Sequence, residues 1–148
     1  MSIKEDFKNR IAEIITFDEK EKVKTSKKIG VDLNTLTLAI EYGKIPSVKS
    51  LIKISDYYNV SIDFILGNTE DDTFIVAKEK ATFAERLLML IKEKGITQYQ
   101  LAKLSHIDKS YITKWLKGEF VASVSFLETL ADCLNVSIDY LLGRTDYR

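Results

Sequence analysis

Apolar residues at helical spacing predict five short helices between residues 83 and 142. The first runs from Phe83 to Lys94, the fourth starts near Ser123, and the fifth lies between Ser137 and Gly143. The positions expected to be buried in these three helices are Phe83, Leu87, Leu90, Ile91, Phe126, Leu127, Leu130, Ala131, Leu134, Ile138, Leu141 and Leu142.

Residues 97–118 contain the second and third of these helices. Thr97 can cap the second helix, residues 105–107 form a turn, Asp108 can cap the third helix, and Gly118 can end it. Two helices of this length joined by a tight turn predict a helix-turn-helix, whose second helix fits the major groove of DNA. The residues expected on the buried sides are Leu101, Ala102, Leu104, Ile112, Trp115 and Leu116.

The chain also contains an internal repeat. Residues 59–70 (NVSIDFILGNTE) recur 76 positions later as residues 135–146 (NVSIDYLLGRTD). The same shift pairs Phe7 with Phe83, Arg10 with Arg86, Lys27 with Lys103, Asp32 with Asp108, Ser47 with Ser123 and Leu51 with Leu127. The repeat indicates a tandem duplication, and we predict an all-α protein with a first copy at residues 1–70, a linker at 71–81 and a second copy at 82–148. Within that linker, the apolar triplet Phe74-Ile75-Val76 could dock on either copy or form a strand.

Four features of the second copy fall in a characteristic order: TQYQLAKLSHI, a third helix that contains Trp115 and ends in Gly118, Ser123 before the fourth helix, and the closing NVSIDYLLG. In these features the second copy resembles the XRE family, the phage repressor and Cro type of helix-turn-helix protein. The resemblance covers residues 83–146, whereas residues 7–70 resemble the family more loosely. The resemblance implies two five-helix, lambda-repressor-like domains, binding to a double-stranded DNA operator, and transcriptional control, with repression as the expected activity.

The resemblance also implies a set of residues that contact DNA. These residues are Gln98, Lys109, Ser110, Tyr111, Thr113 and Lys114. Their chemistry agrees, because an amide can bind phosphate or adenine and lysines can bind phosphate or guanine. For Tyr111, surface contact and packing are both open. Two residues depart from the family pattern: Leu116 stands where many relatives have Glu, and His106 stands where Gly is usual, which predicts a positive φ at His106.

The third helix of the first copy, within residues 32–40, contains no basic residue. Leu33 and Leu38 stand at the positions of Lys109 and Lys114, so we expect the second copy to read bases. The apolar residues Leu33, Leu36 and Leu38 are a possible interface for a homodimer. An alternative function is therefore a protein-interaction module, an adaptor or an inhibitor. The first copy also has a lysine cluster that could touch phosphates or be a solvated helix face: Lys20, Lys22, Lys24, Lys27 and Lys28.

Composition limits the other function classes. The formal net charge is 0, but residues 1–72 carry 11 basic and 13 acidic residues, whereas residues 73–148 carry 11 and 9. The single cysteine, Cys133, excludes an internal disulfide and suits a reducing cytoplasm. The sequence has no apolar run of membrane-spanning length and no signal-peptide pattern. Neither His106 nor Cys133 has a partner at metal-binding or catalytic spacing, so we expect no enzyme activity, metal, cofactor or small-molecule ligand.

Overall fold

The structure of the protein is a computed structural model that describes the backbone of residues 3–148 and the side chains of residues 5–148. This part of the chain is all helical, as predicted, with ten helices and no strand. It divides into two compact units, one ending at Phe74 and the other comprising Ile75–Arg148. Among the described helices, none combines the length and the apolar character needed to cross a membrane.

The first unit has five helices around an apolar core. The helices are α1 (Ile3–Ile14), α2 (Lys22–Ile29), α3 (Leu33–Tyr42), α4 (Val48–Tyr58) and α5 (Ile62–Ile65). Its most buried side chains include Phe7, Ile11, Ile15, Leu36, Leu51, Ile54, Ile62 and Ile65. Short polar side chains cap the later helices: Asp32 accepts from the amide of Thr35, Ser47 from that of Ser50, and Ser61 from that of Phe64.

The second unit also has five helices, and each is similar in length to its counterpart in the first unit. They are α6 (Phe83–Lys94), α7 (Gln98–Ser105), α8 (Lys109–Leu116), α9 (Val124–Leu134) and α10 (Ile138–Leu141). Most of the predicted core is buried, including Phe83, Leu87, Leu90, Leu101, Ile112, Trp115, Leu127, Leu130, Leu134, Ile138 and Leu141. Four of the positions predicted to be buried are half-buried instead: Ala102, Leu116, Phe126 and Leu142.

Leu104 corrects one prediction of burial, because 62% of its surface is exposed. Ser105 takes the buried position on α7 and is only 6% exposed. Consecutive residues of an α-helix are about 100° apart, so Leu104 lies to one side of the direction shared by Leu101 and Ser105, at the edge of the core and open to solvent. The buried hydroxyl of Ser105 is tolerated because it donates to the carbonyl oxygen of Leu101 at 2.7 Å.

Helix starts in the two units follow the spacing of the sequence repeat. Helices α2, α3, α4 and α5 begin at Lys22, Leu33, Val48 and Ile62, and α7, α8, α9 and α10 begin 76 positions later, at Gln98, Lys109, Val124 and Ile138. The third helices differ in length, since α3 has 10 residues and α8 has 8. Gly43 ends α3 in the left-handed conformation, and Gly118 follows α8 in the same conformation.

Residues 75–78, within the segment predicted as a linker, are hydrogen-bonded to the C-terminal segment of the second unit. The amide of Ala77 donates to the carbonyl of Arg144 at 2.9 Å, and the hydroxyl of Thr145 donates to the carbonyl of Ile75 at 2.7 Å. The amide of Lys78 donates to Asp146 at 3.1 Å. These bonds answer the question left open for Phe74-Ile75-Val76: Ile75 lies along the C-terminal segment, without forming a strand.

Candidate nucleic-acid interface

Reciprocal hydrogen bonds fix the start of α7. The hydroxyl of Thr97 accepts from the amide of Gln100 at 3.0 Å, and the side chain of Gln100 accepts from the amide of Thr97 at 2.8 Å. This capping box satisfies two amides that a helix start would otherwise leave unpaired. Thr97 therefore caps α7, as predicted. The cap fixes the position of Gln98, the first residue of the helix.

The turn between α7 and α8 depends on His106, which has φ +58° and ψ +27°. This left-handed conformation was predicted from the usual glycine at this position in the family. Histidine is one of the residues that tolerate it best. On either side, Ser105 and Ile107 are buried, and the amide of Ile107 donates to the hydroxyl of Ser105 at 3.3 Å. The turn is therefore anchored in the core at both ends.

Asp108 caps α8, as predicted. Its carboxylate accepts from the amide of Ser110 at 2.8 Å. This hydrogen bond, supported by one from the Ser110 side chain, lowers the pKa of Asp108. At the other end, Gly118 has φ +77°, and its amide donates to the carbonyl of Trp115 at 3.0 Å. Both ends of α8 are therefore fixed by local hydrogen bonds.

One side of α8 is embedded in the core through Ile112 and Trp115, which are 0% and 1% exposed. The Trp115 ring meets the rings of Phe83 and Phe126 edge-on, with centroids 6.0 and 5.4 Å away. These contacts are typical of favourable aromatic packing. They fix the rotation of α8 about its own axis, and so decide which of its residues face solvent.

The opposite side of α8 is polar and basic. Lys109, Ser110 and Lys114 are exposed, and Thr113 is half-exposed. Lys117, just after the helix, is also exposed, although it was not among the residues predicted to contact DNA. The spacing of Ser110, Lys114 and Lys117 places them along one side of the helical turn. That i, i+4, i+7 spacing is the signal by which Lys117 could have been found.

Gln98 and Thr113 are linked across the two helices. The hydroxyl of Thr113 lies 3.2 Å from Oε1 of Gln98 and 3.0 Å from the carbonyl oxygen of Lys109. A contact through Oε1 leaves the amide NH2 of Gln98 available to an external acceptor. The structure thus brings together two of the predicted DNA-contacting residues that are 15 positions apart in sequence.

Tyr111 both packs and faces solvent. Its ring centroid lies 5.2 Å from that of Phe126 and 6.1 Å from that of Trp115, yet 43% of the residue is exposed. The two interpretations left open by the sequence therefore describe different parts of one side chain. The ring is supported by the aromatic core while its outer edge remains accessible.

The corresponding helix of the first unit, α3, requires a correction. Leu36 is 0% exposed and belongs to the core, so it cannot take part in an exposed interface. Its position on α3 turns it inward with Ala39, whereas Leu33 and Leu38 are half-exposed. Leu38 also lines a shallow groove of about 210 Å³ together with Ile45 and Pro46. The apolar surface of α3 is thus smaller than the sequence predicted.

Metal-binding and nucleophilic groups are sparse in the described part of the chain. No three His, Cys, Asp or Glu side chains there converge as metal ligands. Burial, reinforced by the neighbouring carboxylate of Asp132, raises the pKa of the Cys133 thiol. Cys133 is therefore held in its less reactive, protonated form at neutral pH.

Comparison with known proteins points to the same segment. Residues 87–141 match the family model described as Helix-turn-helix. The match runs from within α6 to the last residue of α10, and it includes all six predicted DNA-contacting positions. The resemblance of the second copy to a helix-turn-helix family is confirmed for these residues, whereas the first copy lies outside the match.

A curated relative extends this finding. Over 62 residues the chain is 29% identical to the "Immunity repressor protein" of Bacillus phage phi105. The matched region is 42% of this chain and 43% of the relative, so the chain spans less than half of the length of that protein. No solved structure matches the chain.

Proposed function

We propose that the protein is a sequence-specific, double-stranded-DNA-binding transcriptional regulator, acting as a repressor, that inserts α8 into the major groove. The observation that carries this proposal is the exposed polar and basic side of α8, held beside Gln98 within a segment that matches the helix-turn-helix family. The name of the phage relative supports repression as the outcome of binding. The proposal describes a binding protein and assigns no catalytic role.

Each exposed residue has a role in this proposal. Ser110 and Thr113 offer short hydroxyls to base edges, and Lys114 offers an ammonium to guanine or phosphate. Lys109 and Gln98 lie at the starts of their helices, where contacts to the sugar-phosphate backbone would fix the orientation of α8. The exposed edge of Tyr111 contacts a sugar or a thymine methyl group.

The first unit, in this proposal, is a degenerate copy of the same domain. The equal spacing of four helix starts supports a common plan, with residues 1–70 and 82–148 as the two domains and base reading confined to the second. On α3, Leu33 and Leu38 replace the lysines of α8, which leaves no cation there to contact a base or a phosphate.

Selection of a binding site from a pool of random duplexes, followed by affinity measurements, tests the proposal. We expect Gln98→Ala and Lys114→Ala each to weaken binding to the selected duplex, by about 1–3 kcal/mol where a bidentate base contact is lost. Lys80→Ala, which removes an exposed charge outside α7 and α8, is the matched control and should bind like the wild type. Wild-type affinity in both test variants would rule out this mode of binding.

A protein-interaction role for the first unit is the second candidate function, and the groove beside Leu38 favours it. We propose that two chains form a homodimer through this surface, with Leu33 and Leu38 as its apolar contacts. Light scattering after size exclusion tests this: Leu38→Lys should convert the dimer to a monomer, while Tyr57→Lys, which replaces an exposed side chain of α4, should leave it intact. A wild-type protein that remains monomeric at every concentration contradicts the dimer.

A further inference from the structure

The outer side of α2, in the first unit, carries an unusual concentration of positive charge. Lys24, Lys27 and Lys28 are all exposed, and their i, i+3, i+4 spacing puts them on one side of the helix. None of the three forms an ion pair with a described residue, whereas Lys22 pairs with Glu19 at 2.7 Å. We call the three unpaired residues, Lys24, Lys27 and Lys28, the lysine face.

The lysine face has no counterpart in the second unit. The equivalent positions on α7 are Gln100, which is used in the capping box, Lys103, whose ammonium lies 5.1 Å from the ring centroid of Tyr99, and Leu104. The third helices show the opposite distribution, because α8 is basic and α3 has no cation. Most lysines of the helix pair therefore lie on the first helix in the first unit and on the second helix in the second unit.

Helix stabilisation alone does not account for this arrangement. Lysines in a last turn interact favourably with the negative end of the helix dipole, and Lys27 and Lys28 are so placed. However, Lys53 of α4 already donates to the carbonyl oxygen of Gly30 at 3.1 Å, at the same end of α2. Lys24 stands in the first turn, where a positive charge is unfavourable to the dipole. A ligand for the exposed ammonium groups explains all three positions.

We infer that the lysine face binds backbone phosphates of duplex DNA, so that the first unit adds affinity without reading sequence. The inference rests on the proposed function, since it assumes that the second unit brings the chain to DNA. In helix-turn-helix proteins the first helix of the pair crosses the DNA backbone while the second enters the groove. A unit that is basic on the first helix and apolar on the second therefore suits phosphate contact only. Lysine is suited to this task, because its flexible point charge binds phosphate without the fixed geometry that base recognition needs.

The salt dependence of binding tests the inference. The variant Lys24→Gln/Lys27→Gln/Lys28→Gln is compared with wild type on the selected duplex and on a mixed-sequence duplex, over a range of KCl concentrations. Each phosphate contact contributes about −0.9 to the slope of log K against log salt. We expect the magnitude of the slope to decrease by about 2 to 3, with equal losses of affinity on both duplexes. The ratio of specific to non-specific affinity should be unchanged.

Two control proteins separate charge at this site from other effects. Lys8→Gln/Lys78→Gln/Lys80→Gln removes three exposed charges from elsewhere and should change the slope by less than 1. Lys24→Arg/Lys27→Arg/Lys28→Arg keeps the charges and should bind like wild type, which shows that positive charge at these positions, rather than the lysine side chain itself, is required.

The possible results are distinguishable. The inference is wrong if the slope is unchanged in the Gln variant, or if its magnitude decreases by the same amount in the first control. Either result leaves the proposed function in place. If the Gln variant instead loses self-association in light scattering and keeps its salt slope, the lysine face contacts protein and the inference is wrong. If wild type shows no salt-dependent binding to either duplex, both the inference and the proposed function fall.

Discussion

The guanidinium of Arg86 lies 4.1 Å from the ring centroid of Tyr140 and donates through Nη1 to the carbonyl oxygen of the same residue at 3.0 Å. Nη1 also donates to the carbonyl oxygen of Thr145 at 3.0 Å, and Nη2 contacts Asp146 at 3.3 Å. Arg86 is only 7% exposed. A single side chain of α6 therefore holds α10 and the chain beyond it, the same segment to which residues 75–78 are attached.

Replacing Arg86 should destabilise the second unit. Arg86→Ala leaves two carbonyl groups without their donor, and a buried polar group that loses its partner costs about 1–3 kcal/mol. We expect the free energy of unfolding to fall by about 2–4 kcal/mol. Urea denaturation followed by tryptophan fluorescence measures this, because Trp115 is the only tryptophan and lies in this unit.

Arg148→Ala provides a control for that experiment. Arg148 also lies near Tyr140, with 5.3 Å to the ring centroid, but it is exposed and pairs with Glu93 at the surface. Its loss should leave the urea midpoint close to that of wild type, since exposed ion pairs contribute little. Equal midpoints for wild type and Arg86→Ala would show that the arginine network is not needed for stability.

Arg10 makes the corresponding network in the first unit. Its guanidinium lies 4.0 Å from the ring centroid of Phe64, and it donates to the carbonyl oxygens of Phe64 and Thr69 at 2.6 and 2.8 Å and to Glu70 at 2.8 Å. The sequence repeat pairs Arg10 with Arg86 but does not reveal this role. Hydrophobic periodicity counts arginine as a surface residue, whereas here its charge is satisfied by carbonyl groups that are distant in sequence.

The same limit explains what sequence could and could not predict elsewhere. Helix ends were predictable because their causes are local: Thr97 and Asp108 cap the next few amides, and His106 occupies a position that demands a positive φ. Burial at single positions was less predictable. The exposure of Leu104 could have been predicted from the repeat. Its counterpart in the first copy is Lys28, and a position that accepts lysine in one copy is usually exposed.

In the candidate site too, some features were predictable from the sequence and others depend on tertiary packing. The exposed side of α8 follows from helical periodicity once Ile112 and Trp115 are assigned to the core. The hydrogen bond between Thr113 and Gln98 depends on how α7 crosses α8, which local pattern does not specify. The burial of Leu36 likewise follows from the packing of α3 in the first unit, where an apolar stripe alone does not separate core from interface.

The contact between Gln98 and Thr113 predicts energetic coupling in DNA binding. Thr113→Val removes the hydroxyl and keeps the branched shape, so it frees the Gln98 amide to rotate. On the selected duplex, we expect the Gln98→Ala/Thr113→Val double variant to lose less affinity than the sum of the single losses, by at least about 0.5 kcal/mol. A double-mutant cycle measures the difference.

A second cycle, between Gln98 and Lys114, calibrates the first one. No hydrogen bond joins these two side chains in the described structure, so their losses should add within about 0.5 kcal/mol. Additivity in both cycles would mean that the hydroxyl of Thr113 does not position Gln98.

The conformation of His106 predicts which replacements the turn accepts. A left-handed backbone costs an ordinary L-residue about 1–2 kcal/mol, and branched residues suffer most. We therefore expect His106→Val to lower the free energy of unfolding by about that amount and His106→Asn to leave it nearly unchanged. Because the His106 side chain is exposed, both changes act chiefly through the backbone. Urea denaturation would contradict the left-handed turn if Val and Asn proved equally stable.

Acid should weaken the cap of α8. The amide and side chain of Ser110 hydrogen-bond to the Asp108 carboxylate and hold its pKa below the ordinary value of 3.8. A lowered pKa in the folded state means that ionised Asp108 stabilises the fold at neutral pH. This contribution is lost as the pH falls below about 4 through the folded-state pKa. Asp108→Asn keeps a capping oxygen but cannot ionise, which makes it the reference protein.

The difference in Tm between wild type and Asp108→Asn isolates this effect. Glu85 and Asp71, whose pKa values are also lowered by hydrogen bonds from neighbouring threonines, titrate in both proteins and so cancel. We expect wild type to have the higher Tm at pH 7 and the difference to shrink as the pH falls below the ordinary carboxyl value of 3.8, because protonated Asp108 resembles asparagine in charge. A difference that stays constant over this range would show that the hydrogen bond from Ser110 does not favour the ionised carboxylate.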